Sequence, residues 1–347
     1  MYESTIMSRR VLCIGLVLSA WMLPLAAAEP GARTSLANPQ IKFTVPEKPY
    51  VVLKRGELEV VVVDNRAVDD AVLPGHRAGY GGLGALRHQR QPRNLFVPSY
   101  AGMNFEHIID GSQQNRDILF EPRKVPMQLR VVNHHVAELW QAATPHYGVE
   151  SCHRFEMLDD GTLEMTFECI PRRKTWAHDY LMFFWASYID QPESLDIHFI
   201  GQSDKDSREP HWIRGITPQH GVDAVHRALD DLREFRHVEP FPLELAFGFS
   251  KHRFAEPWYA GECRGMSFAQ VFRKADQIRL VQSPSGGGDK CPAWDFQWII
   301  DNCRVDQRYQ LVMRVVYVPR PEHVSAQVAR EQLRQRVSGL RIPQSGE

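Results

Sequence analysis

The sequence predicts an all-β protein, a large antiparallel β-sandwich with one or two peripheral helices. Segments that alternate apolar and polar residues, or run apolar for the length of a strand, recur at short spacing along the chain. Turn signals such as Asp160-Gly161 join most of them where βαβ units would need helices. Only two stretches space their apolar residues as a helix does, and no internal repeat is present.

Arg9 and Arg10, the apolar run VLCIGLVLSAWMLPLAAA and its small-residue ending predict a secretory signal peptide over residues 1–28. The expected mature chain is one sandwich domain, 29–322, followed by a C-terminal helix and tail, 323–347, and is secreted or periplasmic. No later run approaches the roughly 20 apolar residues that cross a bilayer. With 41 basic and 42 acidic residues, a nucleic-acid partner has no bulk electrostatic support.

Residues 40–65 alternate and are rich in Val, which predicts strands with a turn at Lys54–Gly56. The stretch from Pro74 to His107 comes next. Between Ala71 and Phe105 it has no Asp or Glu, yet it holds Arg77, Arg87, Arg90, Arg93, His76, His88, Tyr80 and Tyr100. Five glycines between Gly75 and Gly84 (Gly75, Gly79, Gly81, Gly82 and Gly84) accompany these side chains, so an ordered loop facing a ligand is expected. Residues 126–141 predict a strand pair whose His134 and His135 point to opposite faces.

In CHRFEMLDDGTLEMTFEC a two-residue Asp160-Gly161 turn would pair Leu158 with Leu163 and place Cys152 opposite Cys169. Those two cysteines are the predicted disulfide. YLMFFWASYI, residues 180–189, predicts a central strand buried on both faces, with Trp185 in the core. SLDIHFIG predicts a strand with Leu195, Ile197 and Phe199 on one face. Val222, Val225, Leu229, Leu232 and Phe235 recur at helical spacing, as do Val324, Val328, Leu333, Val337 and Leu340 near the end. Strands are expected in the four segments MSFAQVFR, DQIRLVQS, AWDFQWII and RYQLVMRVVYV.

Three further clusters combine aromatic and charged residues: His146 to Glu150, His252 to Tyr259, and residues 283–298. Flat indole and phenol faces beside carboxylates and amides suit a sugar ring, which stacks by its C–H face and hydrogen-bonds around its rim. Arginine adds the option of an acidic sugar. The candidate substrate-binding residues are Arg87, Glu150, Trp258, Tyr259, Trp294, Asp295 and Gln297. Proton abstraction beside a carboxylate needs a base, an acid and a cation, and His76, Arg77, Tyr80, His107, His146 and Glu256 are the candidate catalytic residues.

A glycosidase pair could come from Glu150, Glu256 and Asp295. No HExxH, CxxC pair, EF-hand loop, G-x-S-x-G or phosphate-loop pattern occurs, so no metal or cofactor is expected.

The phrase VESCHRFEMLDDGTLEMTFECIP, followed by the aromatic strand ending WASYI, resembles the aldose-epimerase-like β-supersandwich of galactose mutarotases and polysaccharide-lyase domains. The phrases PGHRAGY and PAWDFQW also resemble those of a group of secreted bacterial proteins. The resemblance implies the supersandwich fold and a sugar ligand. Mutarotases carry His-x-Tyr-Phe-Asn on the aromatic strand, and here Trp185-Ala-Ser-Tyr188 stands in its place.

The expectation is therefore a secreted carbohydrate-active protein that binds an oligo- or polysaccharide, a lyase or epimerase-like enzyme. A non-catalytic carbohydrate-binding or envelope-associated module and a glycoside hydrolase are the alternatives.

Overall fold

The computed structural model describes residue 1 and residues 31–203 and 209–343, so the expected signal peptide lies outside the described residues apart from Met1. Strands β1 (Tyr50–Arg55) and β2 (Leu58–Val63) form a hairpin around Gly56, whose φ of +56° suits glycine, and β3 (Gly82–His88) completes a three-stranded sheet.

A second, fifteen-stranded sheet takes β4 (Asn104–Ile109), β5 (Met127–Asn133), β6 (Val136–Gln141), β7 (Val149–Met157), β8 (Leu163–Pro171), β9 (Tyr180–Ala186), β10 (Ile197–Ser203) and β11 (His211–Gly215). It continues through β12 (Val225–Ala228), β13 (Phe249–Phe254), β14 (Trp258–Cys263), β15 (Met266–Phe272), β16 (Arg279–Ser283), β17 (Ala293–Asp301) and β18 (Tyr309–Pro319). The spatial order is β4-β9-β17-β16-β12-β13-β10-β14-β15-β18-β8-β7-β6-β5, with β11 beside β10. Only the β12–β13 pair is parallel among the described residues.

So long a sheet cannot stay open, and it folds back on itself. Phe167 on β8 lies 5.3 Å from Phe105 of β4, 4.9 Å from Trp185 of β9 and 6.1 Å from Trp298 of β17, ring centre to ring centre. The two ends of the sheet therefore face each other as layers of a sandwich. Each such aromatic pair adds about 0.5–1.5 kcal/mol beyond its area burial. Val60, Val62, Leu83 and Leu86 of the small sheet join the same core. The all-β antiparallel sandwich expected from the sequence is the fold observed.

The hairpin β7–β8 forms, one residue out of the expected register. Leu158 N–H donates to Thr162 O at 2.9 Å across a three-residue loop, Asp159–Gly161, with Gly161 at φ +75°. Met157 then pairs with Leu163 and Cys152 with Glu168. A slip of one residue turns every side chain to the other face. The Cys152 thiol lies 3.7 Å from Glu138, whereas Cys169 packs in the central core. The predicted Cys152–Cys169 disulfide is absent, and Cys152, Cys169, Cys263, Cys291 and Cys303 are free and buried.

Other expectations change for tertiary reasons. The helix predicted around Val222 to Phe235 does not form. Gly221 and Asp223 take φ of +80° and +53°, and Val225–Ala228 pairs with β13 and β16 as β12. Leu232 is left 78% exposed. His134 and His135 sit in the turn between β5 and β6, so their rings lie 3.9 Å apart instead of on opposite faces.

The basic glycine-rich stretch is partly strand, since Gly82 and Gly84 belong to β3. Two short helices unforeseen in the sequence follow β4: α1 (Arg116–Leu119) and α2 (Glu121–Lys124). The terminal helix α3 (Ala326–Ser338) forms, capped by Ser325 and docked through Leu333 and Val337.

Candidate functional site

Strand β4 carries the central feature. Phe105 pairs with Trp185 and His107 with Phe184, so Glu106 is the extra residue of a β-bulge. The Phe105 ring stacks on Trp185 on the core side. His107 packs 5.2 Å from Phe184 and 4.2 Å from Phe120 on the opposite side, and its Nε2 lies 3.9 Å from the Glu106 carboxylate. The bulge thus delivers two consecutive polar side chains to one face.

Glu106 is met there by groups from two other segments. Tyr188, just past β9, places its hydroxyl 2.7 and 2.8 Å from the two carboxylate oxygens. Arg123 of α2 donates from Nη1 to Oε1 at 2.9 Å and from Nε to Gly79 O at 2.9 Å. The same guanidinium lies over the Tyr80 ring, 4.0 Å from its centre. Tyr80, Tyr100 and Tyr188 cluster with ring centres 4.6, 5.7 and 4.9 Å apart, and Tyr80 and Tyr100 are half-buried.

Arg77 lies over the Tyr100 ring at 5.9 Å, is exposed, and has no carboxylate partner among the described residues. His76 is a support, for its Nε2–H donates to Tyr80 O at 2.9 Å and fixes the loop. A groove of about 790 Å³, lined by Asn65, Arg66, Ala78, Gly79, Phe120 and Arg123, adjoins this cluster.

Burial governs the electrostatics. It raises the Glu106 carboxyl above the ordinary carboxylate value, outweighing the Arg123 charge and the Tyr188 hydrogen bond, which act the other way. Asp295 on β17 accepts the Ser187 N–H at 2.9 Å and is also raised by burial, with the Glu106 charge adding to the effect. Burial pushes the Tyr188 hydroxyl well up and holds His107 down to about 3, so His107 is neutral near pH 7. A carboxyl group of raised pKa, hydrogen-bonded to a phenol and a guanidinium, holds a proton more readily than an ordinary carboxylate and can exchange it with a bound group. Half-exposed rings beside it can stack a flat apolar face.

Of the predicted site residues, the fold gathers Arg77, Tyr80 and His107, with His76 behind them and Asp295 beneath. The others lie elsewhere. Glu256 accepts the Trp258 indole N–H at 2.8 Å and the forked Arg334 of α3 at 2.5 and 3.1 Å, which occupies it as a tie for that helix. Trp258 packs under α3 in a separate cluster. Trp294 and Tyr259 are fully buried, and the Trp294 indole donates to Leu195 O.

Gln297 is equally buried and donates to Leu245 O and Ala246 O. Glu150 is held by Trp140 and Arg172, and Arg87 by Glu59 and Val72 O. These placements correct the expected surface roles of Glu256, Trp258, Tyr259, Trp294, Gln297, Glu150 and Arg87, because each side chain spends its polar groups inside the protein or has no exposed surface. His146 is half-buried against Tyr147, with its backbone N–H bonded to Glu121, and makes no hydrogen bond or ion pair to Glu106 or Arg123 among the described residues.

Sequence reasoning missed Glu106, Arg123 and Tyr188. One signal was present for the first: Glu106 is the residue that ends the acid-free stretch beginning at Ala71. Nothing local marks the other two.

No family model matches the chain, and no curated protein matches it. Solved structures are similar to it at low identity. A candidate aldose 1-epimerase from Escherichia coli K12 is 11% identical, with a TM-score of 0.47 over 78% of this chain and 99% of that one. A galactose mutarotase-like protein from Lactobacillus casei is 6% identical, with a TM-score of 0.42 over 77% and 99%. A heparan sulfate lyase from Pedobacter heparinus is 9% identical, with a TM-score of 0.39 over 81% of this chain and 37% of that chain. Likeness at these identities transfers no activity.

Proposed function

We propose that this chain is an exported carbohydrate-active enzyme of the lyase or epimerase type, acting on an acidic saccharide at the cluster around Glu106 and the groove beside it. One observation carries the reading: half-buried Tyr80 and Tyr100 pack on Tyr188, which with Arg123 is bonded to the buried Glu106, and Arg77, without a carboxylate partner among the described residues, lies over Tyr100.

A pyranose ring stacks on the tyrosines, and its carboxylate pairs with the fork of Arg77. Ionised Glu106 removes the proton on the carbon next to that carboxylate, and the guanidinium groups offset the charge that develops. Delivery of a proton to the opposite face by a phenol, with Glu106 keeping the one it took until solvent removes it, gives epimerisation. Loss of the oxygen substituent one carbon further, protonated by a phenol, gives elimination and a new double bond. Export rests on the leader-like residues 1–28.

The test is incubation with uronate-containing and neutral glycans, following absorbance of new double bonds, reducing ends and optical rotation. Unsaturated product or inversion only with uronates is the expected result. Binding without turnover across the panel would favour a non-catalytic module, a reading supported by the burial of Glu106 and Tyr188, which are 5% and 7% exposed. The glycosidase alternative loses its support, because Glu256 is tied to Arg334 and Asp295 is 1% exposed.

A further inference from the structure

A second cavity, of about 490 Å³, lies between α3 and the edge where β2, β3 and β18 end, and it shares no lining residue with the groove beside Glu106. Its volume falls within the few-hundred Å³ range of small-molecule sites. The inner surface is apolar, made by Leu58, Tyr317, Ala329 and Leu333, all buried. The outer lining is cationic. Arg90 and Arg336 line the cavity, both are exposed, and neither has a carboxylate partner among the described residues.

Arg336 is held in place, since its Nη2 donates to Asp160 O at 3.2 Å across the β7–β8 turn. The single carboxylate in the lining, Glu57, faces His88 Nε2 at 3.6 Å. His88 Nδ1 accepts the Arg90 backbone N–H at 3.1 Å, so its remaining N–H is on Nε2 and points toward Glu57. Burial lowers the His88 pKa, which keeps this imidazole neutral near pH 7. Two guanidinium charges against one carboxylate leave a positive excess at the mouth.

An apolar floor with a positive rim fits one kind of occupant. We infer that this cavity binds a small amphipathic anion, with an apolar body against Leu58 and Leu333 and a carboxylate or sulfate head between Arg90 and Arg336. Each guanidinium offers parallel N–H donors to such a head, and the floor excludes water from the body. The inference does not rest on the activity proposed at Glu106.

Calorimetric titration of the whole protein with hexanoate, hexyl sulfate, hexanol and inorganic sulfate tests it. Saturable binding of hexanoate or hexyl sulfate is expected, with hexanol and inorganic sulfate weaker by about ten-fold or more. The double variant Arg90→Ala, Arg336→Ala should lose about ten-fold or more in affinity, and Arg123→Ala should bind as the parent does. If the double variant fails to fold, Arg90→Gln alone, on an exposed turn, should weaken binding in the same direction. The inference is overturned if neither amphiphile saturates, if hexanol or inorganic sulfate binds as tightly, or if Arg123→Ala abolishes binding while the arginine variants keep it.

Discussion

Glu106 and Glu256 sit in neighbourhoods of the same composition, a carboxylate between a guanidinium and an aromatic donor, yet the fold uses them differently. Glu256 is the more exposed, at 29% for its side chain against 7% for Glu106. Exposure alone would select it as the reactive group. Its oxygens, however, are filled by the Trp258 indole and the fork of Arg334, and the ensemble fastens α3 to the sheet. Glu106 is buried, raised in pKa, and bonded to Arg123, which lines the adjoining groove, while the half-buried Tyr80 and Tyr100 pack beside it. A carboxylate is made useful by what its neighbours leave unfilled, not by its own exposure.

Glu106→Gln is the strongest way to break this contrast. It keeps the shape and most hydrogen bonds while removing the titrating group, and turnover on the glycan panel should fall about 10²–10⁴-fold. Retention of full turnover would transfer the chemistry elsewhere.

The core imidazoles sharpen the contrast from another side. Burial holds His107, His153 and His226 down to about 3, from an ordinary 6.5. As pH falls below 6.5 the unfolded chain takes up protons that the native state refuses, so stability present above 6.5 is lost toward pH 3. Each imidazole contributes about 1.4 kcal/mol per pH unit in that window. Urea midpoints against pH should show this slope, and His153→Gln should reduce it by one proton's share. An unchanged slope would mean that His153 is protonated in the folded state.

Arg77→Ala should weaken uronate binding by about ten-fold, with no loss of thermal stability, because the side chain is exposed and lies over the Tyr100 ring at the surface. Isothermal titration reads the first effect and a melting curve the second. Glu256→Ala should do the reverse at smaller scale, costing about 1 kcal/mol through α3 and leaving turnover intact. Loss of turnover in that variant with the fold preserved would place Glu256 back among the reactive groups.

Strand β9 was fully legible, since a run of apolar and aromatic residues of that length has no stable place but the middle of a sandwich. The hairpin β7–β8 was legible in kind and not in register. Asp160-Gly161 permits a two- or a three-residue loop, and the choice between them moved Cys152 away from Cys169. The helical spacing around Val225 was genuine in the sequence and was overridden by ladder partners in β13 and β16. At the site, the sequence pointed to Arg77, Tyr80 and His107 through a local excess of base over acid. Arg123 and Tyr188 carried no such mark.

By itself, then, the sequence determined the class of fold and the stretch around which polar and aromatic groups collect, because both follow from patterns a few residues long. Only the tertiary structure decided which carboxylate is occupied and which is available. Glu106 meets Tyr188 across 82 positions of chain and Glu256 meets Arg334 across 78. The hydrogen bonds that settle each case form between strands and helices whose proximity no short-range propensity encodes.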